Sequence, residues 1–130
     1  GQIRFWNPQG QPLRQFMANP TGIKIMRLSP DGGELVTVSH SGQIQRWDLT
    51  GKLLRTLQPQ DKTISTLRFS PTGTYLAVAG SNGIVRVWNR QGILLSQFPA
   101  SEQAINSLSF SSDSDQIATA GEDGNIQLWS

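Results

Sequence analysis

The chain has no cysteine and one histidine in 130 residues. Without cysteine there are no disulfides and no thiolate metal sites. His40 has no second imidazole with which to bind a metal or relay a proton, so it is expected to be an exposed residue in its turn between Ser39 and Ser41. Charged residues are scarce too, at 15% against a usual ~25%. The surface is therefore mostly Ser, Thr, Gln, Asn and Gly. The net charge of +2 comes from eleven basic residues spread among nine acids, not from the basic face that nucleic acid requires. No apolar run approaches the roughly 20 residues of a membrane-spanning helix, and no signal peptide is visible. Neither nucleic acid nor membrane is an expected partner, and the expected location is cytoplasmic. Gly80-Ser81-Asn82-Gly83 lacks a following helix and P-loop spacing. No cofactor is expected.

What the chain does have is a period. Trp6, Trp47, Trp88 and Trp129 stand 41 residues apart, as do Gly1, Gly42, Gly83 and Gly124. A period of that length marks a repeat array. The constant interval gives the tryptophans a common packing role rather than a ligand platform.

Within each period the pattern is of short strands and tight turns. Met26 and Leu28 recur as Leu67 and Phe69, then as Leu108 and Phe110. Ser29-Pro30-Asp31-Gly32 recurs as Ser70-Pro71-Thr72-Gly73 and, more loosely, as Ser111-Ser112-Asp113-Ser114; these are hairpin turns. The next strand, Leu35 to Ser39, Leu76 to Gly80 or Ile117 to Gly121, is apolar on both faces and rich in small residues, which suits a sheet clamped between two others. The Trp-bearing strand follows, with Ile44, Val85 and Ile126 opposite the indoles. A turn at Gly51 or Gly92 then leads to an outer strand ending in Phe16, Leu57 or Phe98. Four short strands per 41 residues, with no room for a helix, predict an all-β chain of propeller blades, each of four antiparallel strands.

The run LRFSPTGTYLAVAGSNGIVRVWN, residues 67–89, resembles a tryptophan-aspartate (WD) repeat. The resemblance covers the whole chain in three in-register copies. It departs from the family pattern where Ala18-Asn19, Pro59-Gln60 and Ala100-Ser101 replace the usual Gly-His. The turn aspartate survives only as Asp123, and the aspartate after tryptophan only as Asp48. The family's hydrogen-bonded His, Ser/Thr, Asp and Trp set is therefore expected to be missing, leaving apolar packing and backbone ladders to hold the blades.

Residues 1–130 read as one array: third and outer strands in 1–17, complete repeats at about 23–57 and 64–98, and a last repeat, 105–130, without its outer strand. Rings close with four to eight blades. About three blades per chain predict either further repeats of a longer chain or self-association of copies into a ring.

No residues read as an active site. Glu122 and Asp123 are turn neighbours whose side chains point apart, not a carboxylate pair aimed at one point. Arg27 and Arg68, one period apart, are expected to meet solvent or a neighbouring carboxylate. The resemblance implies docking of proteins or peptides on a face made by two loop sets. One holds Asn19, Gln60, Asp61, Lys62, Ser101 and Glu102; the other holds His40, Ser41, Ser81, Asn82, Glu122 and Asp123. These positions vary between repeats while strand positions do not, as in a scaffold with grafted specificity. The expected function is a non-catalytic interaction scaffold or sensor module. The alternatives are an enzyme or carbohydrate-binding propeller whose site forms on the ring axis, and a self-assembling structural unit.

Overall fold

A computed structural model describes residues 1–130 as thirteen strands and no helix. Blade I contains β1 (Gln2–Trp6) and β2 (Pro12–Met17). Blade II contains β3 (Ile23–Leu28), β4 (Glu34–Ser39), β5 (Ile44–Asp48) and β6 (Leu53–Leu57). Blade III contains β7 (Ile64–Phe69), β8 (Tyr75–Gly80), β9 (Ile84–Asn89) and β10 (Leu94–Pro99). Blade IV contains β11 (Ile105–Phe110), β12 (Ile117–Gly121) and β13 (Ile126–Trp129). Each blade is an antiparallel meander in chain order.

The blades bury apolar residues face to face. Val36, Val38, Ile44 and Leu57 of blade II meet Ile64, Leu67, Leu76, Val78 and Trp88 of blade III. A side chain of this size contributes about 1.5–3 kcal/mol when fully buried, so a nine-residue cluster outweighs any single polar tie. Blades III and IV meet through Ala77, Ala79, Val85, Ile105 and Leu108. Blades I and II meet through Ile3, Leu35 and Trp47. Two indoles lean on the outer strand of the preceding blade: buried Trp47 lies 5.6 Å from Phe16 and half-buried Trp129 4.8 Å from Phe98, ring centre to ring centre. Trp88 is 0% exposed, in the same cluster as Leu57. Trp6, on the first strand of the sequence, is 54% exposed. At the other end Ile126 is 78% exposed, where Ile44 and Val85 are at 0%.

The periodic glycines have a backbone reason. Gly42 (φ +87°) and Gly83 (φ +74°) lie where the next blade's lead-in loop crosses. Their carbonyls accept from Asp61 N at 3.0 Å and from Ala100 N at 2.9 Å. A Cβ on Gly83 would lie 2.0 Å from the Ser101 carbonyl oxygen. Only glycine combines that φ with that approach. At the loosest hairpin turn Ser114 takes the left-handed conformation (φ 65°) that Gly32 and Gly73 take in the others.

Contrary to expectation, the blades do not rest on apolar packing and ladders alone, because half of the supposedly missing polar set is present. Trp47 Nε1 donates to Thr37 Oγ1 at 3.0 Å, and Trp129 Nε1 to Thr119 Oγ1 at 3.1 Å. Threonine and tryptophan sit diagonally on neighbouring strands of one face, so the bond forms without a histidine. Between blades II and III, buried Arg46 pairs with Glu34 and donates Nη1 to the Arg90 carbonyl.

Candidate functional site

The lead-in loops and the turns after β4, β8 and β12 lie against one another on one face, linked by short hydrogen bonds. In blade II Asn19 Oδ1 accepts from Thr21 N and Oγ1, while its Nδ2 reaches Gln43 and Gln45 at 2.8 and 3.2 Å. Asn19 is buried, so it supports this face from beneath instead of lining it. In blade III Asp61 takes the same role: Oδ1 accepts from Thr63 N and Oγ1, and Oδ2 from Asn82 Nδ2 at 3.1 Å and from Arg86. Burial pushes the Asp61 carboxyl up, but bonds from Thr63 and Arg86 outweigh it and hold the group below the usual carboxylate range. In blade IV Ser101 Oγ donates to Asp123 Oδ2 at 3.2 Å and accepts from Gln103 N.

Gln60 donates Nε2 to the Ser41 carbonyl at 2.6 Å, joining blade III to blade II. His40, Gln60, Lys62, Ser81, Asn82, Glu102, Glu122 and Asp123 are exposed on this face; Ser41, Asp61 and Ser101 are half-buried. No group of three or more His, Cys, Asp or Glu residues is placed to hold a metal ion.

The three blades differ in charge at equivalent places. Blade III sets Asp61, Asn82 and Arg86 together, so acid and base cancel. In blade IV Ser101 takes the place of Asp61, with Glu102 beside it, and Asn82 and Arg86 are matched by Asp123 and Gln127. Blade IV thus carries two carboxylates and no guanidinium. The Arg86 side chain, which also donates Nε to Gln97 at 2.9 Å, has no counterpart in blade IV. An open cleft of about 500 Å³ lies there, lined by Glu102, Gln103, Asp123, Gln127 and Trp129.

The sequence pattern of the WD domain, G-beta repeat family matches residues 10–48, 51–89 and 92–130. The chain belongs to the WD40 family. No curated protein matches it. Each matched WD40 repeat begins at an outer strand, β2, β6 or β10, and ends on the tryptophan strand of the next blade. A repeat therefore straddles two blades, and its first strand closes the sheet before it. Repeats of this family generally mediate protein–protein interaction and are typically non-catalytic.

Two features of this WD40 face escaped the sequence. The substitute for the family's Gly-His position in blade III is Asp61, not Gln60, because that lead-in loop is displaced by one residue relative to the period; Asp61-x-Thr63, echoing Asn19-x-Thr21, was the available signal. The Arg86 pairing was also missed, since its partner is 25 residues away. Of the two expected surroundings, Arg27 and Arg68 meet solvent and not a carboxylate. Each guanidinium donates to the carbonyl of the residue before it, Met26 O at 3.0 Å and Leu67 O at 3.2 Å.

Proposed function

We propose that this WD40 chain is a non-catalytic protein-interaction module, and that the blade IV cleft on its loop face takes a basic side chain, arginine above all, from a partner protein. The observation that carries this is Arg86. One repeat earlier the chain itself places a guanidinium beside Asp61 and on the same strand face as Trp88. Blade IV offers Glu102, Asp123 and Trp129 around Gln127, the match of Arg86, with no guanidinium there. Carboxylates in a cleft bind a guanidinium through charge-assisted bonds, and an indole wall adds a stacking surface. The rest of the face contributes shape: Ser41, Gln60, Ser81 and Asn82 are neutral, and a sheet-borne face loses little freedom on binding.

The test is fluorescence anisotropy with labelled tetra-arginine, tetra-lysine and tetraserine peptides. Tetra-arginine should bind most tightly. Glu102→Gln with Asp123→Asn should weaken it about tenfold, while Asp31→Asn with Asp48→Asn, an equal charge change outside this face, should not. Gln127→Arg should fill the cleft in cis and compete with the peptide. Undiminished binding by both the Glu102/Asp123 and the Gln127→Arg variants would refute the assignment.

A further inference from the structure

The inner strands β3, β7 and β11 each pair with a neighbour on one side only, and they lie side by side at the inner edges of their blades. They carry Lys24, Arg27 and Arg68 and not one acidic residue. A bulge recurs at the same register in all three, between Ile23 and Ile25, between Ile64 and Thr66, and between Ile105 and Ser107. Bulges re-aim side chains. The bulged residues Lys24, Ser65 and Asn106 are all exposed, and Lys24 Nζ reaches the Lys62 carbonyl at 3.3 Å.

Arg27 and Arg68 stand at the same register of adjacent strands, opposite Val36 and Ala77. Neither forms an ion pair; each spends one Nη on its own strand and leaves the rest of its guanidinium free. Partial burial, and then the positive charge of Arg68, hold the Arg27 guanidinium below its usual range, in keeping with their shared register on adjacent strands. Like charges left side by side without a counter-ion favour an anion from outside.

We infer that the inner edge of the blades is a cationic strip that binds an extended acidic protein segment, its carboxylates meeting Lys24, Arg27 and Arg68. The spacing selects this occupant. Lys24 and Arg27 are three residues apart on a strand, about 10 Å at the usual rise, so the charges are strung along a line. A single compact anion bridges at most the Arg27 and Arg68 pair; a chain of carboxylates reaches Lys24 as well. The strip is separate from the blade IV cleft, whose charge is opposite.

Fluorescein-labelled hexaglutamate titrated against the whole chain at low salt tests it. The expected result is saturable binding that weakens as salt rises and falls about tenfold in Arg27→Gln with Arg68→Gln. Arg4→Gln with Lys52→Gln, which removes the same charge from exposed sites elsewhere, should leave it unchanged. Lys24→Gln, at an exposed bulge, gives a second variant should the arginine pair prove necessary for folding, and should show a smaller loss. Equal losses in the control pair would reduce the effect to net charge and overturn the inference, as would no binding by the unmodified chain. Displacement by inorganic phosphate as effective as by unlabelled hexaglutamate would assign a compact anion instead. Tighter binding of an oligothymidylate of equal charge would assign nucleic acid. Either result would also overturn it. Because the cleft variants of Glu102 and Asp123 are read with cationic peptides, failure here leaves that proposal standing, and the reverse holds.

Discussion

Trp88 Nε1 donates to the carbonyl oxygen of Gln58 at 2.9 Å, reaching out of its own blade to the end of the preceding one. Trp47 and Trp129 instead donate to threonines within their own blades. The difference traces to one position: Thr37 and Thr119 recur as Val78. With no hydroxyl within the blade, the buried N–H finds a backbone acceptor across the seam, as an unpaired buried donor would cost about 1–3 kcal/mol. One methyl-for-hydroxyl exchange thus turns an internal tie into a tie between blades.

Trp88 and Trp6 should respond very differently to truncation. Trp88→Ala removes a fully buried indole and should destabilise by about 3–5 kcal/mol. Trp6→Ala removes a half-exposed one and should change stability by about 0.5 kcal/mol or less. Urea melts of the two variants provide the check. Equal losses would mean that Trp6 is covered by something in solution.

Glycine substitutions separate backbone conformation from crowding. Gly83 and Gly124 share a left-handed φ, but Gly83 faces the Ser101 carbonyl and Gly124 faces open space. Gly124→Ala should therefore cost about 1 kcal/mol, from φ alone. Gly83→Ala should cost clearly more, because the lead-in loop must move. Comparable melting temperatures would show that the loop yields freely.

The ion pair of Asp61 and Arg86 is nearly buried on both sides. Removing one partner by Asp61→Asn or Arg86→Gln should cost about 3 kcal/mol, since the other charge is left uncompensated. The double variant reproduces the neutral Asn and Gln chemistry of blade II, where Asn19 bonds Gln45. It should recover much of that loss, giving a coupling of about 1–3 kcal/mol in a double-mutant cycle. Additive losses would argue against a direct pair.

Acid should loosen the fold through four aspartates. The Asp31, Asp48 and Asp113 carboxyls are lowered first by the hydroxyls of Ser29, Thr50 and Ser111, and Asp61 is lowered despite its burial. A lowered folded value means that the unfolded chain binds more protons in the acid range. This contribution is complete above the unfolded carboxylate value of about 3.9 and is lost as pH falls through the folded values. Thermal melts should be flat near neutrality in this respect and fall below about pH 4. The Asp61→Asn variant should show a shallower fall. An unchanged acid slope in that variant would remove Asp61 from the account.

Much of the candidate face was legible because turns recur with the strands. His40, Ser81 and Glu122 could be placed together by counting alone, since tight turns at a fixed period must fall at one end of their sheets. Asn19 could be placed but not its depth; its burial depends on Gln43 and Gln45 lying across the loop. The Asp61 substitution was obscured by a one-residue displacement within a loop, where backbone path and not period sets the register.

By itself the sequence determined what is local and repeated: strand, turn, small middle strand and indole, each written once per 41 residues, because alternation and turn chemistry act between near neighbours. Only the tertiary structure decided which charges meet. Arg86 with Asp61 and Arg46 with Glu34 close within single blades between residues 25 and 12 positions apart, while Arg27 and Arg68 stay unpaired. Electrostatic pairing is decided by distance in space, and separation along the chain does not specify it.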